Sequence, residues 1–128
     1  MASKFVIQKH KTGKSHFDLR IIHESQVRSW SMLRMPPLRE GEQRLAIERE
    51  SLSPQDMNQR VIYEQAFGTG KAYVWDEGAL AITLALPLRL ILQFDGEKMS
   101  GRYELRKMNW YPGNRWLIRK STALKGTP

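Results

Sequence analysis

Four side chains near the start of the chain have the types and spacing of a metal and phosphate site: His10, His16, Asp18 and Arg20. Imidazole and carboxylate ligands together suit Mn²⁺, Zn²⁺, Fe²⁺ and similar ions. An ion that keeps open positions can polarise a phosphoryl oxygen and lower the pKa of bound water. An arginine two residues beyond the carboxylate can hold a phosphate through two parallel hydrogen bonds. The group therefore indicates metal-assisted phosphoester chemistry, with all four side chains as candidate catalytic residues.

A β-strand would position these groups. The segment from His16 to Glu24 alternates polar and apolar residues, and the period of two in a strand puts alternate side chains on opposite faces. His16, Asp18 and Arg20 then share a polar face, and the apolar residues between them form the other. His10 ends the preceding strand, and a loop at 11–15 can fold it back beside His16.

Two other interpretations use the same residues. The facial triad of iron oxygenases also combines two histidines and a carboxylate. In that triad the His-x-Asp pair precedes a distant second histidine, whereas no histidine follows His23 in this chain. The order therefore argues against an oxygenase. The second interpretation stays open, because Asp18 and Arg20 on one strand face also suit a cross-strand ion pair. We expect no chemistry from His23.

Composition limits the class of protein. The 128 residues suit one domain, 1–128, with a frayed tail at about 121–128. The absence of cysteine excludes disulfides and cysteine-type zinc sites. A net charge of +8 favours a polyanionic partner such as nucleic acid. We find no apolar run long enough for a signal peptide or a membrane span, so we expect a cytoplasmic protein without membrane contact.

Short strand signals recur at intervals of about ten residues, which favours an all-β, mainly antiparallel fold. We predict a small closed or nearly closed β-barrel of about eight strands, with at most one or two short helices, one of them near Pro54 to Gln59. Turns are predicted at Gly68-Thr69-Gly70, Asp76-Glu77-Gly78, Asp95-Gly96 and Pro112-Gly113-Asn114. The candidate strands are Lys4–Lys9, His16–Glu24, Val27–Leu33, Arg44–Arg49, Val61–Tyr63, Lys71–Trp75, Ala79–Leu84, Leu88–Phe94, Met99–Met108 and Arg115–Arg119.

The segments Phe5 to His10 and His16 to Arg20 resemble the signature of the 3′-phosphoesterase domain of bacterial DNA ligase D. Further similarities follow in the same order along nearly the whole chain. They are Ser29-Trp30, Arg44 to Glu48, Gly68 to Gly78, Gly101 to Leu105 and Trp116 to Lys120.

The resemblance implies a small β-barrel with a Mn²⁺-dependent site in its interior, although Zn²⁺ or another divalent ion would also suit the ligands. That site trims ribonucleotides and phosphates from DNA 3′ ends. Carried over by position, the metal ligands are His10, His16 and Asp18; the phosphate-binding residues are Arg20, Arg34 and Arg44; and Gln8 lines the site. Arg34 stands where the family has lysine, which keeps the charge but changes its geometry.

The chain departs from the family pattern on the phosphate side. A phosphate-contacting histidine that the family has after its Arg-Leu-Ala-Val strand is absent from Glu50 to Pro54, and the tyrosine beyond it is replaced unless Tyr63 substitutes. A family segment is reduced to Tyr63–Gly68, and the charged N-terminal arm is missing, so we expect a divergent stand-alone domain. The metal ligands are all present. Electrostatic stabilisation is often the largest catalytic contribution, so these losses imply weaker activity, a changed substrate or none.

The sequence therefore predicts a metal-dependent 3′-phosphoesterase acting in DNA repair. The alternatives are a weak or inactive module that binds phosphate or nucleic-acid ends, and a hydrolase of small phosphodiesters on the same fold. Expected partners are primer-template DNA and, in trans, a repair polymerase, ligase or end-binding protein, with the chain itself a monomer. Trp110 and Tyr111, among basic residues, are candidates for stacking on bases.

Overall fold

The protein folds as a closed antiparallel β-barrel in a computed structural model that describes residues 3–11, 15–24, 26–52, 71–109 and 113–121. Its strands join in the order β1-β2-β3-β4-β8-β7-β6-β5, and β5 closes the barrel against β1. The prediction of a small all-β barrel is confirmed. The strands are β1 Ser3–Lys11, β2 His16–His23, β3 Gln26–Met32, β4 Gln43–Leu52, β5 Lys71–Leu86, β6 Arg89–Gly96, β7 Ser100–Lys107 and β8 Arg115–Lys120.

Several predicted elements lie outside the described residues. These are the helix near Pro54 to Gln59, the strand Val61–Tyr63, the glycine turn at 68–70 and the Trp110-Tyr111 pair. The part of the chain that the structure describes contains no helix long and apolar enough to cross a membrane.

Apolar side chains fill the inside of the barrel. The rings of Trp30 on β3 and Trp116 on β8 meet edge to face with centroids 5.7 Å apart, and Phe5 on β1 meets Phe94 on β6 at 4.7 Å. Neither pair of strands is adjacent in the sheet. These rings therefore point inward and contact each other within the barrel, which shows which face of each strand is the core face.

The predicted turn at Asp76-Glu77-Gly78 is wrong, because β5 runs without a break through all three residues. Asp76 is buried, and its carboxylate accepts hydrogen bonds from the backbone N–H groups of Glu97, Lys98 and Met99 at 3.0, 3.0 and 2.7 Å. Gly78 is needed for close approach, since a Cβ there would lie 2.2 Å from the carbonyl oxygen of Asp95. The two residues that suggested a turn therefore have other roles. Asp76 stabilises the connection that follows β6, and Gly78 allows β5 and β6 to approach closely.

The predicted turn at Asp95-Gly96 is displaced for the same reason. Both residues still belong to β6, and the chain reverses over Glu97–Met99. The Asp76 carboxylate supplies the acceptors for this reversal from a neighbouring strand, and the reversal begins directly after the Asp95-Gly96 pair.

Asp76→Asn should lower the free energy of unfolding by roughly 1–3 kcal/mol, because an amide nitrogen replaces one charged acceptor oxygen and at least one backbone N–H of the connection loses its acceptor. Urea unfolding followed by fluorescence measures this change. Asp95→Asn is the matched control, since Asp95 is exposed on β6, and we expect a change within about 0.5 kcal/mol. Equal losses in the two variants would refute the role given to Asp76.

Candidate metal and phosphate site

The predicted split between the two faces of β2 is confirmed. Phe17, Leu19 and Ile21 belong to the barrel core, whereas Asp18 and Arg20 lie on the opposite face. The expectation that the site lies in the barrel interior is therefore wrong. Inward positions are taken by the apolar residues of the strand, so its polar residues are left on the outer side of the barrel wall.

The pairing of β1 with β2 brings the two histidines together. His10, near the end of β1, is the register partner of His16 at the start of β2. Their imidazole rings stack with centroids 4.5 Å apart and planes only 4° from parallel. The antiparallel hairpin thus places His10 beside His16, as the sequence predicts. His10 is buried and His16 is about one third exposed, so the pair is open on one side.

Asp18 completes a three-residue cluster that fits a divalent ion. Its Oδ2 lies 2.8 Å from Nε2 of His10 and 3.4 Å from Nε2 of His16. One ligand atom from each residue lies within 4.8 Å of the other two. Bonds of about 2.0–2.2 Å from zinc-type ions to nitrogen and oxygen place neighbouring ligand atoms roughly 3 Å apart. The donor types and their spacing therefore suit one shared ion.

Arg20 adds a buried positive charge beside this cluster. Its side chain is only 2% exposed, and its Nη2 lies 3.9 Å from Oδ2 of Asp18. This separation is within the range of an ion pair but longer than a hydrogen bond. A buried guanidinium is costly to maintain unless partners offset its desolvation. Its place beside the cluster is what a phosphate-binding role requires.

Gln8 lies on the same outer face and is completely buried. It is the register partner of Asp18, so it lies beside the candidate metal ligand on the neighbouring strand. Neither its amide nitrogen nor its amide oxygen has a hydrogen-bond partner among the described residues. Because buried polar groups are normally paired, this amide is suited to contact a bound group.

Two residues that sequence reasoning missed extend the site toward β4. Ser31 donates a hydrogen bond from Oγ to Oδ1 of Asp18 at 2.6 Å, and Arg49 donates from Nε to Oγ of Ser31 at 3.1 Å. Ser31 thus fixes the carboxylate oxygen that does not face the histidines. The sequence of β3 could have identified Ser31. Ser29 and Ser31 flank Trp30 in the same polar-apolar alternation that identified the two faces of β2.

Burial of Asp18 acts to raise its pKa, but its neighbours outweigh that effect. Hydrogen bonds with His10 and Ser31, together with the positive charges of His10 and Arg20, bring the pKa of Asp18 from 3.8 to about 2. The carboxylate is therefore ionised throughout the range in which it could bind a metal ion.

This lowered pKa predicts an acid-dependent loss of stability. Because the pKa is lower in the folded state, the ionised carboxylate contributes about 2 kcal/mol to the free energy of unfolding above pH 4, and the contribution is lost as pH falls toward 2. Denaturant unfolding of metal-free protein between pH 2 and 5 should show this loss, and Asp18→Asn should flatten the curve there. An equally steep curve for the variant would contradict this assignment.

The structure does not bring the other predicted arginines to the cluster. Arg44 lies on the face of β4 that carries the core residue Ala46. Its Nε donates to the carbonyl of Met35 at 2.8 Å, and its Nη2 lies 3.5 Å from Glu42. Arg34 is exposed in the segment that follows β3. The predicted stacking residues Trp110 and Tyr111 are outside the described residues.

His23 lies at the opposite end of β2 from His16. Its Nδ1 is 2.6 Å from Oγ of Ser3, and its Nε2 is 3.8 Å from Glu24.

Comparison with known proteins shows the family to which this chain belongs. The family model of the DNA ligase D 3′-phosphoesterase domain matches residues 8–107, a stretch that begins at Gln8 and contains the whole cluster. The chain belongs to this family.

Individual relatives agree with that class. Over 118 residues the chain is 30% identical to the multifunctional non-homologous end joining protein LigD of Pseudomonas aeruginosa, a match covering 83% of this chain and 13% of that protein. Over 121 residues it is 28% identical to the protein of the same name from Mycobacterium bovis, covering 91% of this chain and 16% of that protein. The chain thus spans only a small part of the length of these relatives.

Proposed function

We propose that this chain is a divalent-metal-dependent 3′-phosphoesterase that trims ribonucleotides or phosphates from DNA 3′ ends during repair. The observation that carries the proposal is the convergence of His10, His16 and Asp18, whose ligand atoms lie within 4.8 Å of one another, with Arg20 buried beside them. Membership of the ligase D phosphoesterase family supports the reaction class. Mn²⁺ is our preferred ion, and Zn²⁺ also suits these ligands.

Each side chain has a distinct part in this proposal. His10, His16 and Asp18 would hold the ion, which would supply Lewis acidity and lower the pKa of a bound water. Ser31 orients the carboxylate, as polar neighbours of metal ligands commonly do. Arg20 neutralises charge that develops on the phosphoryl oxygens. Both an activated water and an imidazole stay open as the nucleophile.

The surroundings of the site favour a nucleic-acid substrate. The net charge of +8 attracts a phosphate backbone, and the outer side of the barrel wall can accept a polymer end. We propose a cytoplasmic monomer that acts on primer-template DNA, with a repair polymerase, ligase or end-binding protein as a partner in trans. The relatives' names, which specify non-homologous end joining, support this context.

A primer-template assay tests the proposal. Purified protein is given DNA that ends in a single ribonucleotide or a 3′-phosphate, with Mn²⁺, and the products are resolved on a sequencing gel. We expect trimming by the wild type and none by the double variant His16→Ala, Asp18→Ala. Trimming that survives both substitutions would refute the site assignment. A wild-type protein that binds DNA without trimming it would refute the proposed phosphoesterase activity.

A catalytically weak or inactive end-binding module is the second candidate. It is favoured by one observation, that Leu52 and its neighbours provide no histidine where the phosphate side of the family pattern has one. Salt-dependent DNA binding without trimming would identify this module. Cleavage of a small chromogenic diester without DNA binding would instead identify a small-molecule hydrolase.

A further inference from the structure

Arg49 extends the site in a direction that the metal ligands do not cover. Strand pairing aligns Arg20 on β2 with Ser29 on β3, and Ser29 with Arg49 on β4. The three residues form a row on the outer face of the wall. Next to this row on β3 is Ser31, another small residue. Arg20 and Arg49 thus lie on either side of two serines on β3, next to Asp18.

The hydrogen bonds link Arg49 to the cluster while using only part of its guanidinium. Nε donates to Oγ of Ser31, and Ser31 donates to Asp18. A guanidinium has five N–H donors, and this contact uses one of them. The Arg49 residue is exposed, so an incoming anion can reach it.

Among the residues that the structure describes, Arg49 has no acidic partner of the kind that Arg28 and Arg89 have. Arg28 pairs with Glu48, and Arg89 pairs with Glu104. Within the described ranges, no carboxylate forms an ion pair with Arg49. Its nearest acidic neighbour in the hydrogen-bond network is Asp18, through Ser31. An exposed guanidinium held at one nitrogen in this way is well placed to bind phosphate.

We infer that Arg49 is a second phosphate-binding residue, which contacts the terminal phosphate of a nucleic-acid 3′ end while Arg20 contacts it from the other side. This inference rests on the proposed function for the placement of the 3′ end at Asp18. Arg49 makes the site specific for an end that carries a phosphate. Arg49 is not among the phosphate-binding residues that the sequence predicts, so its guanidinium is an additional positive charge at the site.

Metal-free binding tests this inference apart from catalysis. Fluorescence anisotropy in EDTA compares one labelled single strand that ends in a 3′-phosphate with the same strand ending in a 3′-hydroxyl. We expect the wild type to prefer the phosphate and Arg49→Gln to bind the phosphate-ended strand about tenfold more weakly, since a charge-assisted hydrogen bond is lost. Binding of the hydroxyl-ended strand should change less than about twofold.

Arg119→Gln is the matched control, because Arg119 is exposed on β8 and its removal changes the net charge equally. It should weaken binding of both strands slightly and to the same extent. Arg49→Lys should retain part of the preference for phosphate. A wild type without the preference, an equal loss for both strands in Arg49→Gln, or an equal effect of Arg119→Gln would overturn the inference.

The outcome is separable from that of the proposed function. Arg49→Gln could selectively weaken binding of the phosphate-ended strand while the wild type trims nothing. That result would support the phosphate-binding role of Arg49 and refute the proposed enzymatic activity. If the wild type trims, Arg49→Gln should also raise KM for 3′-phosphate ends about tenfold, with kcat changed less. Trimming with an unchanged KM and unchanged binding would refute the role of Arg49 alone.

Discussion

Asp18→Asn is expected to reduce trimming of a 3′-phosphate end by more than about 100-fold and to weaken Mn²⁺ binding by at least the same factor. The substitution keeps the shape of the side chain but removes the negative charge that lies 2.8 and 3.4 Å from the two imidazole Nε2 atoms. Changes to groups that only orient metal ligands cost about 10–100-fold, so the loss of a ligand should cost more. Single-turnover trimming and calorimetric Mn²⁺ titration measure the two effects.

Asp95→Asn is the control for this variant, because it removes one exposed carboxylate from β6 and leaves the cluster intact. It should trim and bind Mn²⁺ as the wild type does. An Asp18→Asn protein that keeps its Mn²⁺ affinity would show that the ion binds elsewhere. An Asp18→Asn protein that no longer binds Mn²⁺ but still trims would show that the reaction does not require the metal ion.

Arg20→Lys is expected to lower kcat/KM by roughly 100-fold while changing Mn²⁺ affinity by less than about threefold. Lysine keeps the positive charge but cannot provide the planar pair of donors that matches a phosphate. The position is almost fully buried, so the shorter reach of its ammonium group cannot be offset by movement into solvent. Steady-state kinetics on 3′-phosphate primer-template, with a separate Mn²⁺ titration, resolves the two quantities.

Arg28→Lys provides the comparison on the other face of the barrel wall. Arg28 donates from Nε and Nη2 to Oε2 of Glu48 at 3.0 and 2.7 Å, and its guanidinium lies over the Trp30 ring. This variant should lose stability but trim normally once folded. If Arg20→Lys trims like the wild type, or if Arg28→Lys loses as much activity, the phosphate-binding role of Arg20 is wrong.

The local pattern of the sequence predicted the barrel and the grouping of His10, His16 and Asp18. Alternation over residues 16–21 identifies both faces of β2, and a short loop suffices to bring His10 to His16. These predictions depend only on strand periodicity and on one hairpin. The strands and the cluster therefore follow from neighbouring residues, without knowledge of the rest of the sheet.

The parts that failed depend on contacts between distant segments. Asp76 suggests a turn in its own segment, but it accepts hydrogen bonds from a connection more than 20 residues later. Arg49 reaches the site only through the register of β3 and β4, which includes an irregularity between Val27 and Ser29. A shift of one residue reverses the face on which a side chain lies, so this register could not be read from the sequence.

The location of the cluster on the outer side of the wall also has a physical cause. The core of a small eight-stranded barrel has room only for side chains, here the large rings of Trp30 and Trp116 and their neighbours. A site that accepts a nucleic-acid end, as we propose, therefore fits on the outer face, where Arg49 is exposed and His16 is partly exposed.

Crystals of the wild-type protein grown with Mn²⁺ and a short strand that ends in a non-hydrolysable 3′-phosphate analogue are the sharpest test of the proposed site. An anomalous difference map should place one ion between Nε2 of His10, Nε2 of His16 and Oδ2 of Asp18, with the terminal phosphate between that ion and Arg20. An ion bound at another group of residues, or a phosphate held away from Arg20 while the ion is present, would contradict it.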